Sequence, residues 1–186
     1  MRKALHAPGR RRIILARTCI MMNRNQGFTL VELMITLALL AIFASIAVPA
    51  FDGLITRNRQ QALMEQVAAV LNNARAEAIL QRRTIEVCGS SDEKTCSASW
   101  ANGWLVRAPD GRVMQLTQLP SHDALRWSGF QQGIRFHNNG SSPISNGRFY
   151  QCHKQKVAWQ LVLNRQGRLR QATAAENTDK ASLCSP

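Results

Sequence analysis

Acidic residues are absent from the first 27 positions, and the sequence features of a catalytic site are absent from the whole chain. The 186 residues include 24 Lys or Arg, 11 Asp or Glu and only four His, and all the acids follow residue 27. The histidines are scattered, with no paired carboxylates, activated nucleophile or phosphate-binding loop around them. We therefore predict that the protein is not an enzyme and needs no cofactor.

The excess of positive charge is concentrated at the N-terminus. Seven of the 24 basic residues lie within residues 1–27, so the remainder holds 17 basic and 11 acidic residues, a net charge of +6. Basic residues that precede an apolar run stay on the cytoplasmic side during membrane insertion. The N-terminal charge is thus an orientation signal, and only the remaining +6 bears on a binding partner.

An apolar segment of 22 residues extends from Phe28 to Pro49. As a helix it reaches about 33 Å, enough to cross a hydrocarbon core of about 30 Å. A secretory signal peptide, an ordinary single-span anchor and a buried core helix are the alternatives. A small-x-small site at residues 45–47 favours the signal peptide, but the apolar region is longer than usual and contains Glu32. Residues 28–49 are therefore predicted to form a transmembrane helix.

An amphipathic helix is predicted to follow directly, over residues 50–83. Apolar side chains recur there at spacings of three and four, and most charged side chains fall off that stripe. The stripe consists of Leu63, Val67, Val70, Leu71, Ala74 and Ala78. Together the two segments form one long helix. Proline removes a backbone hydrogen bond, so we expect a bend or a melted turn near Pro49.

The residues at the start of the apolar segment resemble the processing motif of type IV pilins and type II secretion pseudopilins. Gly27 is followed by Phe28, and Glu32 stands four residues after the phenylalanine. The resemblance implies cleavage by a prepilin peptidase after Gly27, methylation of the new amine of Phe28, and a role for Glu32 in neutralising the amine of a neighbouring subunit. A carboxylate in lipid is costly and usually has such a partner. Pro49 matches the helix-bending proline of the family.

This resemblance implies a bacterial inner-membrane protein with one span and a periplasmic head, which then joins a pilus or a pseudopilus. The expected partners are other pilins or pseudopilins of the filament, the prepilin peptidase and the inner membrane. Residues 1–27 are the expected prepilin leader, which is long for the family. Translation from Met22 gives a six-residue leader, so we expect residues 1–21 to be a misassigned upstream extension.

Removal of the leader also removes Cys19 and leaves four cysteines. An even number of cysteines in a periplasmic head favours two disulfides. The sequence permits three pairings. The preferred one joins Cys88 to Cys96 and Cys152 to Cys184, because it closes one local loop and ties down the C-terminal tail. A zinc site is the alternative, but no CxxC pair or histidine spacing supports it, and we predict no metal.

Period-two alternation begins at about Thr84 and marks residues 84–186 as a β-rich head. Seven short strand candidates are separated by Gly, Ser, Asn, Asp and Pro. They are TIEV, GWLVRA, RVMQL, ALRW, GIRFH, GRFYQC and VAWQLVLN. The predicted fold class is therefore α+β: a long N-terminal α-helix, membrane-spanning in its first half, packed on a small antiparallel β-sheet head.

Alternation within the last strand candidate separates a core face from a second face. The core face is predicted to hold Val157, Trp159, Leu161 and Leu163, and the opposite face Ala158, Gln160, Val162 and Asn164. Large aromatic side chains dominate the cores of small domains. Trp100, Trp104, Trp127 and Trp159 are therefore expected to be core anchors and not exposed stacking surfaces.

The order of these pieces resembles the GspH/FimT family of minor pilins and pseudopilins, and the type IV pilin-like fold. The resemblance rests on W-x-x-G-W from Trp100 to Trp104, on G-I-R-F from Gly133 to Phe136, and on a final hairpin that carries G-R-x-R. It covers nearly all of residues 27–172.

The G-R-x-R motif of this hairpin is the candidate binding site. Gly167 suits a tight turn, and Arg168 and Arg170, two apart in the following strand, project from one face while Leu169 faces the core. Paired guanidinium groups bind phosphate oxygens in fork geometry. In FimT-like minor pilins of transformable bacteria this motif implies binding of extracellular DNA. Four further basic residues are expected to widen the patch: Arg148, Lys154, Lys156 and Arg165.

Three functions remain open at this point. A FimT-like minor pilin captures DNA through Gly167, Arg168 and Arg170, by phosphate contacts that are insensitive to base sequence. A type II secretion pseudopilin shares the helix and the head, but contacts a secreted protein or neighbouring pseudopilins. A structural minor pilin that primes filament assembly needs Glu32 and no ligand. An exposed Arg-x-Arg is also a common way to protect a strand edge from aggregation.

Overall fold

The protein is described by a computed structural model that covers residues 27–120 and 124–185. Contacts divide the chain into two units, one ending at Ile46 and the other beginning at Ala47. In chain order the elements are α1 (Leu30–Leu80), β1 (Ile85–Gly89), β2 (Gly103–Arg107), β3 (Val113–Gln118), β4 (Arg126–Gly129), β5 (Gly133–Phe136), β6 (Gly147–His153), β7 (Lys156–Leu163), β8 (Leu169–Gln171), α2 (Ala174–Asp179) and a 3₁₀ helix (Ala181–Cys184). A long helix followed by short strands is the α+β architecture that the sequence predicts.

The N-terminal end of α1 is capped by a threonine. The backbone N–H of Glu32 donates to Oγ1 of Thr29 at 3.2 Å, which satisfies one of the free N–H groups of the first turn. Residues 30–46 are exposed, and the most apolar 18-residue window of α1 has a mean hydropathy of 2.4 and no buried residue. The helix is therefore long and apolar enough to span a membrane.

Pro49 does not interrupt α1. The helix continues through Pro49 and Gly53 without a break, so the expected melted turn is not present. Proline lacks a backbone N–H, so it costs the helix at least one hydrogen bond even where the helix continues. A bend at this position stays a prediction.

The second part of α1 supplies one side of the core of the head. All six residues of the predicted apolar stripe are buried, with exposed fractions between 0% and 4%, and Met64 joins them at 5%. These side chains pack in one cluster with residues from both sheets. Each fully buried leucine or valine contributes about 1.5–3 kcal/mol to folding. The predicted amphipathic helix is thus confirmed over this stripe.

The head contains two antiparallel four-stranded sheets. The strand order is β3-β2-β1-β5 in the first sheet and β4-β6-β7-β8 in the second. All seven strand candidates are strands, and the short β8 follows the turn at Gly167. The inner faces of both sheets contribute fully buried side chains to the core, among them Ile134, Phe136 and Phe149.

The tryptophans are core anchors, as predicted. Trp100, Trp104 and Trp159 are 4% exposed or less, and the half-buried Trp127 packs against the same cluster. Trp100 meets Phe149 edge-on with 4.7 Å between ring centroids. Such aromatic pairs add about 0.5–1.5 kcal/mol beyond the burial of their area.

The outer face of the second sheet is covered by α2, a helix that was not predicted from the sequence. The N–H of Glu176 donates to Oγ1 of Thr173 at 3.3 Å, and the N–H of Thr173 donates to Oε2 of Glu176 at 2.8 Å. This reciprocal capping box defines the start of α2. The helix packs on β7.

This cover changes the predicted two-faced pattern of β7. Gln160 lies on the face opposite the main core, as predicted, and it is fully buried there. Its Nε2 donates to the carbonyl of Glu176 at 3.2 Å and to Oδ1 of Asn177 at 3.0 Å, so α2 both covers and satisfies it. Val157 was expected beside Trp159 in the main core, but it packs in a separate small cluster that includes Cys184.

Two disulfides close loops in the head. They join Cys88 to Cys96 and Cys152 to Cys184, with Cα–Cα distances of 5.4 Å and 5.6 Å. These are the preferred pairs of the three that the sequence permits. The second disulfide holds the 3₁₀ helix against the end of β6, next to Val157.

Candidate functional site

The turn between β7 and β8 is closed by three short-range hydrogen bonds. The N–H of Gly167 donates to the carbonyl of Asn164 at 3.0 Å, and the N–H of Asn164 donates to the carbonyl of Arg168 at 3.1 Å. The side chain of Asn164 also accepts from the N–H of Arg168 at 2.9 Å. Asparagine and glycine are the residues that such turns favour. The backbone that carries Arg168 is therefore ordered before any ligand binds.

Gly167 is required at this turn for two reasons. Its φ of +74° is a left-handed conformation, and a Cβ atom there would lie 2.2 Å from the carbonyl oxygen of Gly140. That oxygen accepts from Nε of Arg75 on α1 at 2.8 Å. The N–H of Ser142 donates to the carbonyl of Arg165 at 2.9 Å. The turn is thus fastened to the loop between β5 and β6 and, through that loop, to α1.

Arg168 presents a free guanidinium group. Leu169, at the start of β8, pairs with Leu163 and packs half-buried against the main core. Side chains alternate along a strand, so Arg168 and Arg170, on either side of Leu169, are expected on the opposite, outer face. Both side chains are exposed. The side chain of Arg168 is exposed and makes no hydrogen bond or ion pair with any residue in the described ranges.

Arg170, by contrast, is engaged by a residue that sequence reasoning missed. Its Nη1 donates to Oε2 of Glu176 at 2.9 Å and its Nη2 to Oε1 at 2.7 Å, which is a bidentate ion pair. The hydrogen bonds from Arg170, and next the backbone N–H of Thr173, lower the pKa of Glu176 to about 2. The hydrogen bonds that Arg170 donates to Glu176 also raise the pKa of Arg170. The spacing of Thr173 and Glu176 is a capping-box signal that could have located this carboxylate.

Arg148 lies on the same outer face as Arg170. In register, Arg148 of β6 faces Val162 of β7, which in turn faces Arg170 of β8. Two strand spacings separate the backbones of the two arginines, about 9–10 Å. Nη1 of Arg148 donates to Oε1 of Gln160 at 2.9 Å. Arg148 is therefore a held, half-buried cation beside the site.

The two predicted lysines lie elsewhere. Lys154 is in the turn between β6 and β7, and Lys156 is the first residue of β7, whereas Arg165 follows the last residue of that strand. The length of β7 places Lys156 about 23 Å from Leu163. Lys154 and Lys156 therefore do not join the patch at Arg168, while Arg165 shares the turn.

The processing residues precede or begin α1. Gly27 and Phe28 lie before the helix, with Phe28 76% exposed, and the exposed Glu32 lies in the first turn. The rest of the predicted leader, including Met22, lies outside the described residues. Across residues 27–120 and 124–185 no three His, Cys, Asp or Glu side chains are grouped as a metal site would require.

Comparison with protein families identifies the chain. Residues 63–167, more than half of the chain, match the family model described as type II transport protein GspH. The chain belongs to the GspH family. Residues 22–48 of this GspH-family protein also match the model of the prokaryotic N-terminal methylation motif. The motif and the apolar helix together indicate a membrane-anchored pilin.

Known proteins similar to this GspH-family chain are type IV pilins. It is 40% identical to the type IV narrow pilus major component PilA5 of Thermus thermophilus over 114 aligned residues. The alignment covers 50% of this chain and 97% of PilA5. It is 30% identical to the type IV major fimbrial protein FimA of Dichelobacter nodosus over 93 aligned residues, and this alignment covers 49% of this chain. The chain spans about half of the length of FimA, namely 53%.

A solved structure has the same fold. The type IV minor pilin FimU of Pseudomonas aeruginosa is 22% identical and matches with a TM-score of 0.52, over 64% of this chain and 92% of that one. This likeness concerns the fold alone. The family match and the type IV pilin relatives, and not this structure, make the protein a type IV pilin, minor pilin or GspH-like pseudopilin.

Proposed function

We propose that this protein is a minor pilin of a type IV pilus whose head binds DNA through the turn between β7 and β8. The observation that carries the proposal is the free, exposed guanidinium of Arg168 on a turn that Gly167 fixes in place. Because the turn already fixes the backbone, phosphate binding has to order only the side chain of Arg168 and not the loop. Arg165, exposed in the same turn, adds a second cation.

The two arginines of the G-R-x-R motif have different roles, because only Arg170 is ion-paired. Arg168 makes the first phosphate contact, while Arg170 is held by Glu176. Both side chains of the pair are exposed, at 57% and 39%, and exposed ion pairs contribute little to stability. In the native head Glu176 keeps Arg170 ordered and lowers the charge of the patch. Loss of the carboxylate charge would free Arg170 for a phosphate at little cost to the fold.

The net charge of the processed chain agrees with a sequence-independent ligand. Cleavage after Gly27 leaves 17 basic and 11 acidic residues, a net charge of +6. Such a balance favours contact with a polyanion, and the affinity then falls steeply as salt rises. The expected ligand is the phosphate backbone of DNA, without preference for base sequence.

The N-terminal segment is the proposed anchor and assembly element. A prepilin peptidase cuts after Gly27, the new amine of Phe28 is methylated, and Glu32 neutralises the amine of a neighbouring subunit. The span over residues 28–49 then places the head in the periplasm until the subunit leaves the inner membrane for the pilus. Mass spectrometry of the mature protein should find an N-terminal methylated Phe28. An intact Gly27–Phe28 bond in assembled filaments would contradict this.

A second candidate is a type II secretion pseudopilin. The family model that matches residues 63–167 favours it by its description. The pairing of Arg170 with Glu176 also favours it, because a protein that never binds DNA has no need of two free arginines. This candidate predicts that a folded head binds no DNA.

The test is fluorescence anisotropy of a labelled 24-base-pair duplex titrated with the oxidised head, residues 55–186. Among the described residues, this fragment retains every buried core residue, since these lie between Leu63 and Cys184. Arg168→Gln should weaken binding to all sequences alike and lower the slope of log K against log salt by about 0.9. Lys156→Gln, with the same loss of charge at the far end of β7, is the matched control. Equal effects of the two variants, or no binding at all, would refute the proposal.

A further inference from the structure

Phe130 is the most exposed large apolar side chain of the head. It is 82% exposed, in the loop between β4 and β5. Two indole groups hold the backbone beside it: Nε1 of Trp127 donates to the carbonyl of Gln131 at 2.6 Å, and Nε1 of Trp100 donates to the carbonyl of Gln132 at 3.1 Å. An aromatic ring on a pinned backbone is ready to bind a partner without the cost of ordering a loop.

Phe130 lies at the same end of the second sheet as Arg168. The N–H of Phe130 donates to the carbonyl of Asn146, just before β6, at 3.3 Å. Gly147 pairs with Leu163, and Asn164 then bonds to Arg168 across the turn. Three strand spacings therefore separate the backbones of Phe130 and Arg168, about 14 Å. A single oligonucleotide is long enough to cover the distance between the two backbones.

A shallow cleft beside Phe130 is lined by polar and cationic groups. Arg135 and Arg107 flank Glu86, which accepts from Nε of Arg135 at 3.0 Å and from Nε of Arg107 at 2.6 Å. The three charges sum to +1, so the cleft stays cationic. Gln132 and Ser97 line its remaining wall with the disulfide of Cys88 and Cys96.

We infer that Phe130 is a stacking platform for an unpaired base, so that the preferred form of DNA is single-stranded or has frayed ends. In this arrangement a base stacks on the ring of Phe130, and the adjoining phosphates contact Arg135 on one side and Arg168 on the other. A base–aromatic stack with nearby cations is the usual way in which proteins hold single strands. The inference rests on the proposed function in that Arg168 is a phosphate contact in both.

The surroundings of Phe130 favour a nucleotide over a protein partner. The core of a protein interface brings several apolar side chains together around an aromatic anchor. Within the cleft that the structure describes, the groups around Phe130 are amides, a hydroxyl, two guanidinium groups and the carboxylate that they neutralise, and the apolar neighbours are limited to the disulfide and a glycine. That mixture matches a flat base joined to a charged phosphate.

The experiment compares three labelled ligands on the oxidised head, residues 55–186, by fluorescence anisotropy. They are an oligothymidylate of 12 nucleotides, an abasic 12-mer with the same phosphates, and a 12-base-pair duplex. Phe130→Ala should weaken binding of the oligothymidylate by about fivefold to a hundredfold, the range for loss of one stack. It should leave the duplex and the abasic strand within about twofold. Phe130→Tyr should retain the affinity, and Leu116→Ala, which truncates another exposed apolar side chain, is the control.

The outcomes separate this inference from the proposed function. Loss of binding in Arg168→Gln for all three ligands, with loss in Phe130→Ala for the oligothymidylate alone, supports both. Duplex binding that depends on Arg168 while Phe130→Ala has no effect on the oligothymidylate overturns the inference and leaves the proposed function standing. Equal affinity of the native head for the abasic strand and the oligothymidylate overturns it as well. Absence of binding to every ligand overturns both.

Discussion

Replacing Glu176 by glutamine is expected to strengthen DNA binding. The change removes the charge that holds Arg170 through two hydrogen bonds, at 2.9 Å and 2.7 Å. Glutamine at this position still accepts from the N–H of Thr173, so α2 keeps its cap. Lowering the pH cannot substitute for the mutation in an ordinary assay, because the pKa of Glu176 is lowered to about 2. At pH 5–8 the carboxylate is ionised and Arg170 stays paired.

The size of the effect follows from the number of phosphates that the turn can neutralise. Arg165 and Arg168 are available in the native head, and release of Arg170 provides one further contact. Each contact adds about 0.9 to the slope of log K against log salt, so the variant should be steeper by about that amount. Between 200 mM and 50 mM salt this one contact corresponds to an additional gain of about 3.5-fold in affinity.

The measurement is a salt titration of duplex binding by the native head and by Glu176→Gln. Asp179→Asn is the matched control, because it removes the same charge from the same helix without touching Arg170. Were the slope of Glu176→Gln unchanged, Arg170 would not be a phosphate contact. Were Asp179→Asn to raise affinity equally, the gain would be a general effect of net charge, and the reasoning about the pair would be refuted.

Three further predictions concern stability. Gly167→Ala should lower the free energy of unfolding, measured by urea denaturation, by more than about 2 kcal/mol. The left-handed backbone alone costs about 1–2 kcal/mol, and the Cβ would lie 2.2 Å from the carbonyl oxygen of Gly140. An unchanged urea midpoint would contradict this prediction. Replacing Cys152 and Cys184 together by serine should lower the free energy of unfolding by about 3.7 kcal/mol in the same assay, because the disulfide closes a loop of 32 residues. A decrease below about 1 kcal/mol would mean that the unfolded chain is already constrained without the disulfide. The pKa of Glu176 is depressed in the fold, so the stabilisation of the head by ionised Glu176 is full above the ordinary pKa of 4.5 and disappears as the pH falls through about 2. Acid-denaturation curves of the native head and of Glu176→Gln should therefore converge near pH 2. A constant difference between the two curves would contradict the prediction.

The helix and the strands could be predicted because their signals are local. The apolar run before Pro49 and the stripe that includes Leu63 and Ala78 follow helical spacing, and each strand candidate alternates with period two. The tryptophans are buried because no other part of so small a head could supply equal apolar area. These features need no knowledge of which elements pair.

The C-terminal helix could not be predicted in this way. Its sequence, AAENTD, contains no apolar stripe, and none of its residues is buried. The only local signal is the spacing of Thr173 and Glu176. The burial of Gln160 could not be predicted for the same reason, since only the position of α2 over β7 explains why an amide is fully buried there.

The composition of the basic patch depended on sheet pairing. Lys154, Lys156 and Arg165 are close in sequence, but β7 carries the lysines away from the arginine along its whole length. Arg148 is distant in sequence from Arg170, yet the register places both beside Val162. Proximity in sequence therefore predicted the wrong members of the patch, because strand order and register determine which basic residues lie together.

The indole hydrogen bonds that pin the Phe130 loop also determine how its motion can be observed. Any opening that releases the carbonyls of Gln131 and Gln132 must break the bonds from Trp127 and Trp100, at about 0.5–1.5 kcal/mol each. Both indoles would then exchange a fixed acceptor for water, whereas Trp104 would stay in the core. Intrinsic tryptophan emission therefore senses the state of this loop in the unlabelled protein.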